Sequence, residues 1–362
     1  IYCINLSREG YIIPSPIRSM TDSRKVQRLG PSTLAITLPS EWVRNFGVKK
    51  GDDLSLTQLK SGVMAVSPVS ATYQKPNATI HVEHMNSSII ERAIIAQYVL
   101  GRRVIYIKSD ITLNSETINA IYKAETQLMG LGVVEETPNA IVINCSIDPT
   151  DFNLNDLLTR LEITGRTMRD ESINAFMTGN KDMAQRALNR ENQANKIFLL
   201  LLRLIYISYQ NPVVAHSVGF EDVFPLISYR SIAKNLELTA DDSEDIANKV
   251  LESESYTIDL NVNTSKTLLK LVEKVDDLTY NAVQSVVTFD FGIAVTCREL
   301  FSEVNQLGES LITEASPMTN ADLLLLTEVL HSLTRSAGYA MRNVEIATNL
   351  SLNQNSEYVT ID

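Results

Sequence analysis

Over residues 23–68 the hydrophobic runs are short and the turn residues dense, a pattern that predicts strands instead of long helices. Residues 24–28 and 33–38 read as strands separated by the Gly30-Pro31-Ser32 turn. Ser40 is placed to cap a helix of one to two turns, Glu41 suits the positive start of that helix, and Gly47 suits the left-handed position beyond its end. Lys50-Gly51-Asp52 then turns the chain into a strand over 54–59, and Ser61-Gly62 returns it along 63–66. A segment of about 45 residues built this way cannot bury a core alone, so it needs a partner copy.

Beyond residue 77 the period changes. An apolar helical stretch over 87–100, a β-rich stretch over 104–107, a helical run over 115–128 and a strand over 140–145 predict a small α/β connector. It has no Gly/Ser-rich run, so it is expected to transmit position and not to act as a flexible linker. After Asp148-Pro149 the helical period runs almost to the end, with breaks near 209–220 and 256–263. Helices are predicted at about 154–177, 181–208 and 221–252, then at about 264–288, 292–315 and 320–349. The two triplets look alike, with Glu191 and Glu299 at equivalent points 108 residues apart, so an internal repeat is expected. Each triplet would bury its apolar stripe as an antiparallel bundle.

Composition refines this picture. The 362 residues, 44% of them hydrophobic, can bury more than one core and suggest two or three domains. The net charge of −11 argues against a protein that coats nucleic acid over its whole surface. The charge is uneven: residues 1–70 hold nine basic against five acidic residues, which leaves a body of net charge −15. Cys3, Cys145 and Cys297 show neither CxxC spacing nor a disulfide framework, which suits a reducing, cytoplasmic setting. The longest apolar run, 197–202, is interrupted by Arg203 and is far short of the ~20 residues that span a bilayer. Residues 1–19 have no period, and Met20 is the expected natural start, which would make 1–19 an upstream extension.

The run SRKVQRLGPSTLAITLPSEWVRNFGVKKGDDLSLTQLKSGVMAVSP resembles the AbrB/MazE/SpoVT family over its whole length. The shared elements are a basic first strand, Gly30, a strand ending Leu38-Pro39, a short helix ending Phe46-Gly47, Lys50-Gly51-Asp52 and a Gly-turn hairpin. The resemblance implies that two chains interleave into one swapped-hairpin barrel whose basic face binds DNA. Arg24, Lys25, Arg28 and Arg44 are the candidate DNA contacts, against the alternative of a strand edge protected by charge. Trp42 is read as core, packing with Phe46.

The run Leu236-Glu237-Leu238-Thr239-Ala240-Asp241-Asp242-Ser243-Glu244-Asp245 is similar to the PhoU signature, in which an ExxxD pair on the third helix of a repeat supplies metal ligands. Glu237 and Asp241, four residues apart, project from one helix face, and Glu244 and Asp245 extend the acidic stripe. The family's second-helix motif falls on Glu191 and Asn195, with Asn in place of the second acid. In the second repeat Glu299 and Glu303 keep their spacing, whereas Thr334 and Gly338 stand where the third-helix acids should be. Metal is therefore expected mainly at the first repeat. Carboxylates suit Mg, Mn, Fe or Zn without choosing among them, and a solvated acidic face is the alternative.

Together these readings resemble an archaeal-type PhoU regulator of multidomain fold. They place an AbrB-like barrel at 20–76, the connector at 77–150, PhoU-like all-α repeats at 151–255 and 256–352, and a tail at 353–362. The resemblance implies a homodimeric, DNA-binding transcription regulator of phosphate uptake, with a phosphate transporter or regulatory protein as a further partner. An adaptor docking on a transporter or sensor kinase without binding DNA, answering to another oxyanion such as molybdate, is the alternative. No Walker A loop, dinucleotide glycine pattern or GxSxG elbow is present, and the chain is not expected to be an enzyme. His81 and His84 have no nearby cysteine, and Glu328 with His331 makes one ExxH where a di-iron bundle needs two.

Overall fold

The computed structural model describes residues 23–58, 62–68, 77–252, 256–353 and 359–360. The extension 1–19 with Met20, Ser61 of the expected turn and most of the tail lie outside the described residues. The chain divides into two compact units, Ile1–Thr72 and Tyr73–Asp362.

In the first unit β1 (Gln27–Leu29) pairs antiparallel with β2 (Thr33–Ala35), Arg28 facing Leu34 across the ladder. The strands are shorter than expected, so Arg24 and Lys25 precede β1. The short helix α1 (Ser40–Asn45) has Pro39 and not Ser40 at its N-cap, with no side-chain cap, because Ser40 already lies inside the first turn. Its end follows the Schellman pattern: Val48 N–H donates to Val43 O at 3.0 Å and Gly47 N–H to Arg44 O at 3.2 Å, with Gly47 at φ +64°. Strands β3 (Leu54–Gln58) and β4 (Met64–Pro68) form a second antiparallel pair. Trp42 and Phe46 rings stand 5.3 Å apart. Yet Phe46 is 56% exposed, Val26, Leu29, Leu34, Ile36 and Leu56 are also exposed, and among the described residues the first buried member of the hydrophobic core is Ile80.

The second unit opens with an α/β layer: β5 (Ala78–His81), α2 (Ser87–Val99), β6 (Val104–Lys108), α3 (Ser115–Gln127), β7 (Leu131–Thr137) and β8 (Ala140–Cys145). The sheet order is β5-β6-β8-β7, with β5 parallel to β6 and the other pairs antiparallel. Asn86 and Asn114 cap the two helices. Gly130 is needed between α3 and β7, since its φ is +68° and a Cβ there would meet Ile147 Cγ1 at 2.5 Å. Ile90 and Ile94 of α2, Ile121 of α3, and Ile105, Ile107, Ile141 and Ile143 of the sheet are fully buried, in one cluster with Leu158, Leu200 and Leu204 of the helical body.

The body holds α4 (Leu154–Thr178), α5 (Lys181–Gln210), α6 (Pro212–Ser217) and α7 (Pro225–Glu252), then α8 (Val262–Thr288), α9 (Phe291–Ala315) and α10 (Asn320–Ser351). The expected break at 209–220 thus contains a short helix. Asn153 and Asn261 cap the first helix of each triplet in the same way, as a repeat requires. The triplets meet where Arg169 of α4 pairs with Asp276 of α8, and along α7 and α10. There Asn235 bonds Asn343 at 2.7 Å, Asp242 accepts from Arg335 and Ser336, and Lys249 pairs with Glu328 at 2.6 Å. The α7 members, Asn235, Asp242 and Lys249, follow a heptad, so one seam fixes the register of the two repeats. No helix among the described residues is long and apolar enough to cross a membrane.

Arg203, which breaks the apolar run of α5, is itself fully buried. Its guanidinium donates to the carbonyls of Tyr98 and Arg102 at the end of α2 and lies over the Tyr98 ring, 4.8 Å from its centroid. Carbonyls at a helix C-terminus suit a cation, so the α/β layer is docked on α5 through its least replaceable side chain. Arg203→Ala is expected to cost about 3 kcal/mol, since it removes two charge-assisted hydrogen bonds at the end of α2 and empties a large buried side-chain volume. Denaturant unfolding with hydrogen exchange in β6 and β8 checks this; a loss under about 0.5 kcal/mol, the range of ordinary surface changes, would contradict the docking role.

Candidate metal centre

Helix α7 is rotated so that three of its faces do different work. Gly165 of α4 lets Ala240 approach to 4.0 Å of where a Cβ would stand, and Ser172 Oγ–H donates to Ser243 O at 2.7 Å, so Ala240 and Ser243 mark the α4 face. Asn235, Asp242 and Asp245 mark the α10 face, where Arg335 takes both acids. The remaining stripe carries Glu237, Asp241 and Glu244 toward α5.

There Glu191 of α5 meets Asp241 and Glu244, with one carboxylate oxygen of each within 4.8 Å of the others. All three are half-buried. Burial and the charges of Glu244, Asp241 and Glu237 push the Glu191 carboxyl up to about 7, while a hydrogen bond from Asn195 Nδ2 pulls the other way. Burial and Glu237 raise Asp241 to about 6 against the pull of Lys234. Glu244 is raised by burial and by Asp245, and a hydrogen bond with Asn248 opposes this. Three oxygen donors this close, each disfavoured as an anion, fit a hard divalent cation that would neutralise them together. Such an ion would supply charge compensation between α5 and α7.

The expected ligands are placed unequally. Glu191 and Asp241 come together; Asn195 is engaged with Glu191. Glu237 is buried, and its carboxylate is held by the Lys234 ammonium. Glu299 and Glu303 on α9 are exposed, and Glu303 pairs with Lys274 at 2.8 Å. Thr334 Oγ1–H is turned back to its own helix at Leu330 O, and open space surrounds the missing Cβ of Gly338. Glu244 lies outside the ExxxD pair that the resemblance implies, though its spacing, three residues after Asp241, puts it on the same face. In the first unit Arg24, Lys25, Arg28 and Arg44 are exposed; Arg28 donates to Pro31 O at 3.0 Å. Among the other candidates, Glu328 pairs with Lys249, and His81 is an exposed residue of β5.

The family model described as "PhoU domain" matches residues 158–250, and that described as "Antidote-toxin recognition MazE, bacterial antitoxin" matches residues 27–74. The chain joins a MazE/AbrB-like domain to a PhoU domain. No curated protein matches it. Two solved structures are similar at 16% identity and TM-score 0.45, each over 56% of this chain: the phosphate transport system regulatory protein PhoU from Streptococcus pneumoniae, 94% covered, and PhoU from Pseudomonas aeruginosa, 96% covered. Glu191, Asn195, Glu237, Asp241 and Glu244 all fall inside the PhoU domain, and Arg28 and Arg44 inside the MazE match.

The raised carboxyls carry a pH signature. Glu191 and Asp241 hold protons in the folded chain at pH values where the unfolded chain has released them, so folding stability falls as pH rises from about 4 to about 7. In chelator, the unfolding midpoint of the helical body should therefore drop between pH 5 and about 7.5. Mn²⁺ should restore it, and Glu191→Gln should flatten the drop and abolish the restoration. Thermal unfolding followed by circular dichroism checks all three; identical profiles for wild type and Glu191→Gln would contradict the electrostatics.

Proposed function

We propose that the chain is a dimeric, cytoplasmic DNA-binding regulator of phosphate homeostasis, whose PhoU domain senses through a divalent cation held at Glu191, Asp241 and Glu244. The observation that carries this reading is the pairing, in one chain, of a MazE/AbrB-like unit bearing exposed Arg24, Lys25, Arg28 and Arg44 with a PhoU domain bearing an acidic cluster. Dimerisation is supported by the exposed apolar residues of the first unit, which a second copy would cover. DNA binding is supported by the basic residues at and before β1, which stand apart from a body of opposite charge. A phosphate transport system is the proposed further partner of the helical body.

Genome-wide mapping of the DNA bound by the full chain should recover a defined set of sites near phosphate-uptake genes. On DNA from such a site, replacing Arg24 and Arg28 by Ala should weaken binding and reduce the slope of log affinity against log salt by about two, one per lost phosphate contact. Fluorescence anisotropy at several salt concentrations measures this. Absence of any bound DNA would favour the adaptor role, and an unchanged slope would return both arginines to a solubilising edge.

A further inference from the structure

One cation that acts on the acidic cluster is part of the chain, for Lys234 pulls against the rise at Asp241. Lys234, on the same stripe of α7, precedes Glu237 by three residues and Asp241 by seven, two helical turns. Its ammonium is bonded to Glu237 Oε2 and lies 5.5 Å from the centre of the Phe198 ring on α5. Glu237 is the more buried partner, its side chain 12% exposed, while the Lys234 side chain is 40% exposed and has a path to water. Glu237 stands outside the trio Glu191, Asp241 and Glu244, whose oxygens lie within 4.8 Å of one another, yet its charge helps raise both Glu191 and Asp241.

We propose that Lys234 is a built-in counter-cation that competes with metal: in the metal-free chain it holds Glu237, and a divalent ion taken up by Glu191, Asp241 and Glu244 displaces it. The proposal rests on reading the cluster as a metal centre. A carboxylate oxygen cannot serve an ammonium and a nearby doubly charged ion without bringing like charges together, and the repulsion is strong where water is partly excluded. The aromatic face of Phe198 and the open solvent side give the released ammonium somewhere to go, so displacement strands no buried charge. Lys234 thus lowers metal affinity, and its release marks binding at the protein surface. Glu237 becomes free to join the ion when Lys234 leaves.

Mn²⁺ titration of the full chain by calorimetry tests this in wild type, Lys234→Gln and Lys234→Arg. Removing the charge should tighten Mn²⁺ binding about tenfold, whereas Arg, which keeps the charge, should stay within about twofold of wild type. A second readout uses the unaltered protein: limiting acetic anhydride with peptide mass spectrometry should show Lys234 acylated faster when Mn²⁺ is present, with Lys249, paired to Glu328 on the α10 face, unchanged. Wild type that binds Mn²⁺ with equal or weaker binding in Lys234→Gln, or with Lys234 acylation unchanged, would overturn the competition alone. No Mn²⁺ uptake by folded wild type or Lys234→Gln would overturn the metal centre with it.

Discussion

The packing of α5 against α7 forces Glu191, Asp241 and Glu244 to share one small volume, and much of the body is arranged around that repulsion. The close α4 contact at Gly165 and the polar seam with α10 leave α7 no freedom to rotate its acids into water. The cost is met locally: Asn195 and Asn248 donate to carboxylates, Lys234 neutralises Glu237, and two carboxyls hold their protons to unusually high pH. Each compensation is partial, so a cation bound at the proposed centre would neutralise what remains. On a fully solvated face like charges four residues apart cost only a few tenths of a kcal/mol, whereas these carboxylates are half-buried.

The same helix links this cluster to the α/β layer. Glu191 and Arg203 are twelve residues apart on α5, about 18 Å of rigid helix. At one end α5 meets the cluster, and at the other it clamps the end of α2 through a buried guanidinium. A change in the spacing of α5 and α7 has a direct mechanical route to the sheet, because the layer shares one continuous apolar core with the body. The segment between the MazE/AbrB-like domain and the helices is therefore a docked part of the body.

Much of this was legible in the amino-acid pattern. Strong helical periods with Asn, Asp or Thr caps placed the long helices to within a few residues, because burial and capping agree there. Short elements were less legible: α6 lies in a Pro-containing break, and β7 carries a bulge between Val133 and Glu135 that spoils its alternation. The basic first strand was seen, but β1 begins only at Gln27 and leaves Arg24 and Lys25 ahead of the ladder. At the cluster, spacing put Glu237, Asp241 and Glu244 on one face without saying which would meet Glu191; that depends on the rotation of α7, which residues on α4 and α10 decide. Lys234, three residues before Glu237, was the local signal that this acid has a partner already. The burial of Arg203 had no signal beyond its position inside an apolar run.

The proposed divalent-cation centre between α5 and α7 belongs to the first repeat alone, with no counterpart at Glu299 and Glu303. Anomalous diffraction at the manganese edge, from crystals of the full chain grown with Mn²⁺, tests it most directly. A peak bounded by the carboxylates of Glu191, Asp241 and Glu244 is expected, and none at Glu299 and Glu303. A peak at Glu299 and Glu303, or an empty cluster in crystals that carry manganese elsewhere, would contradict it.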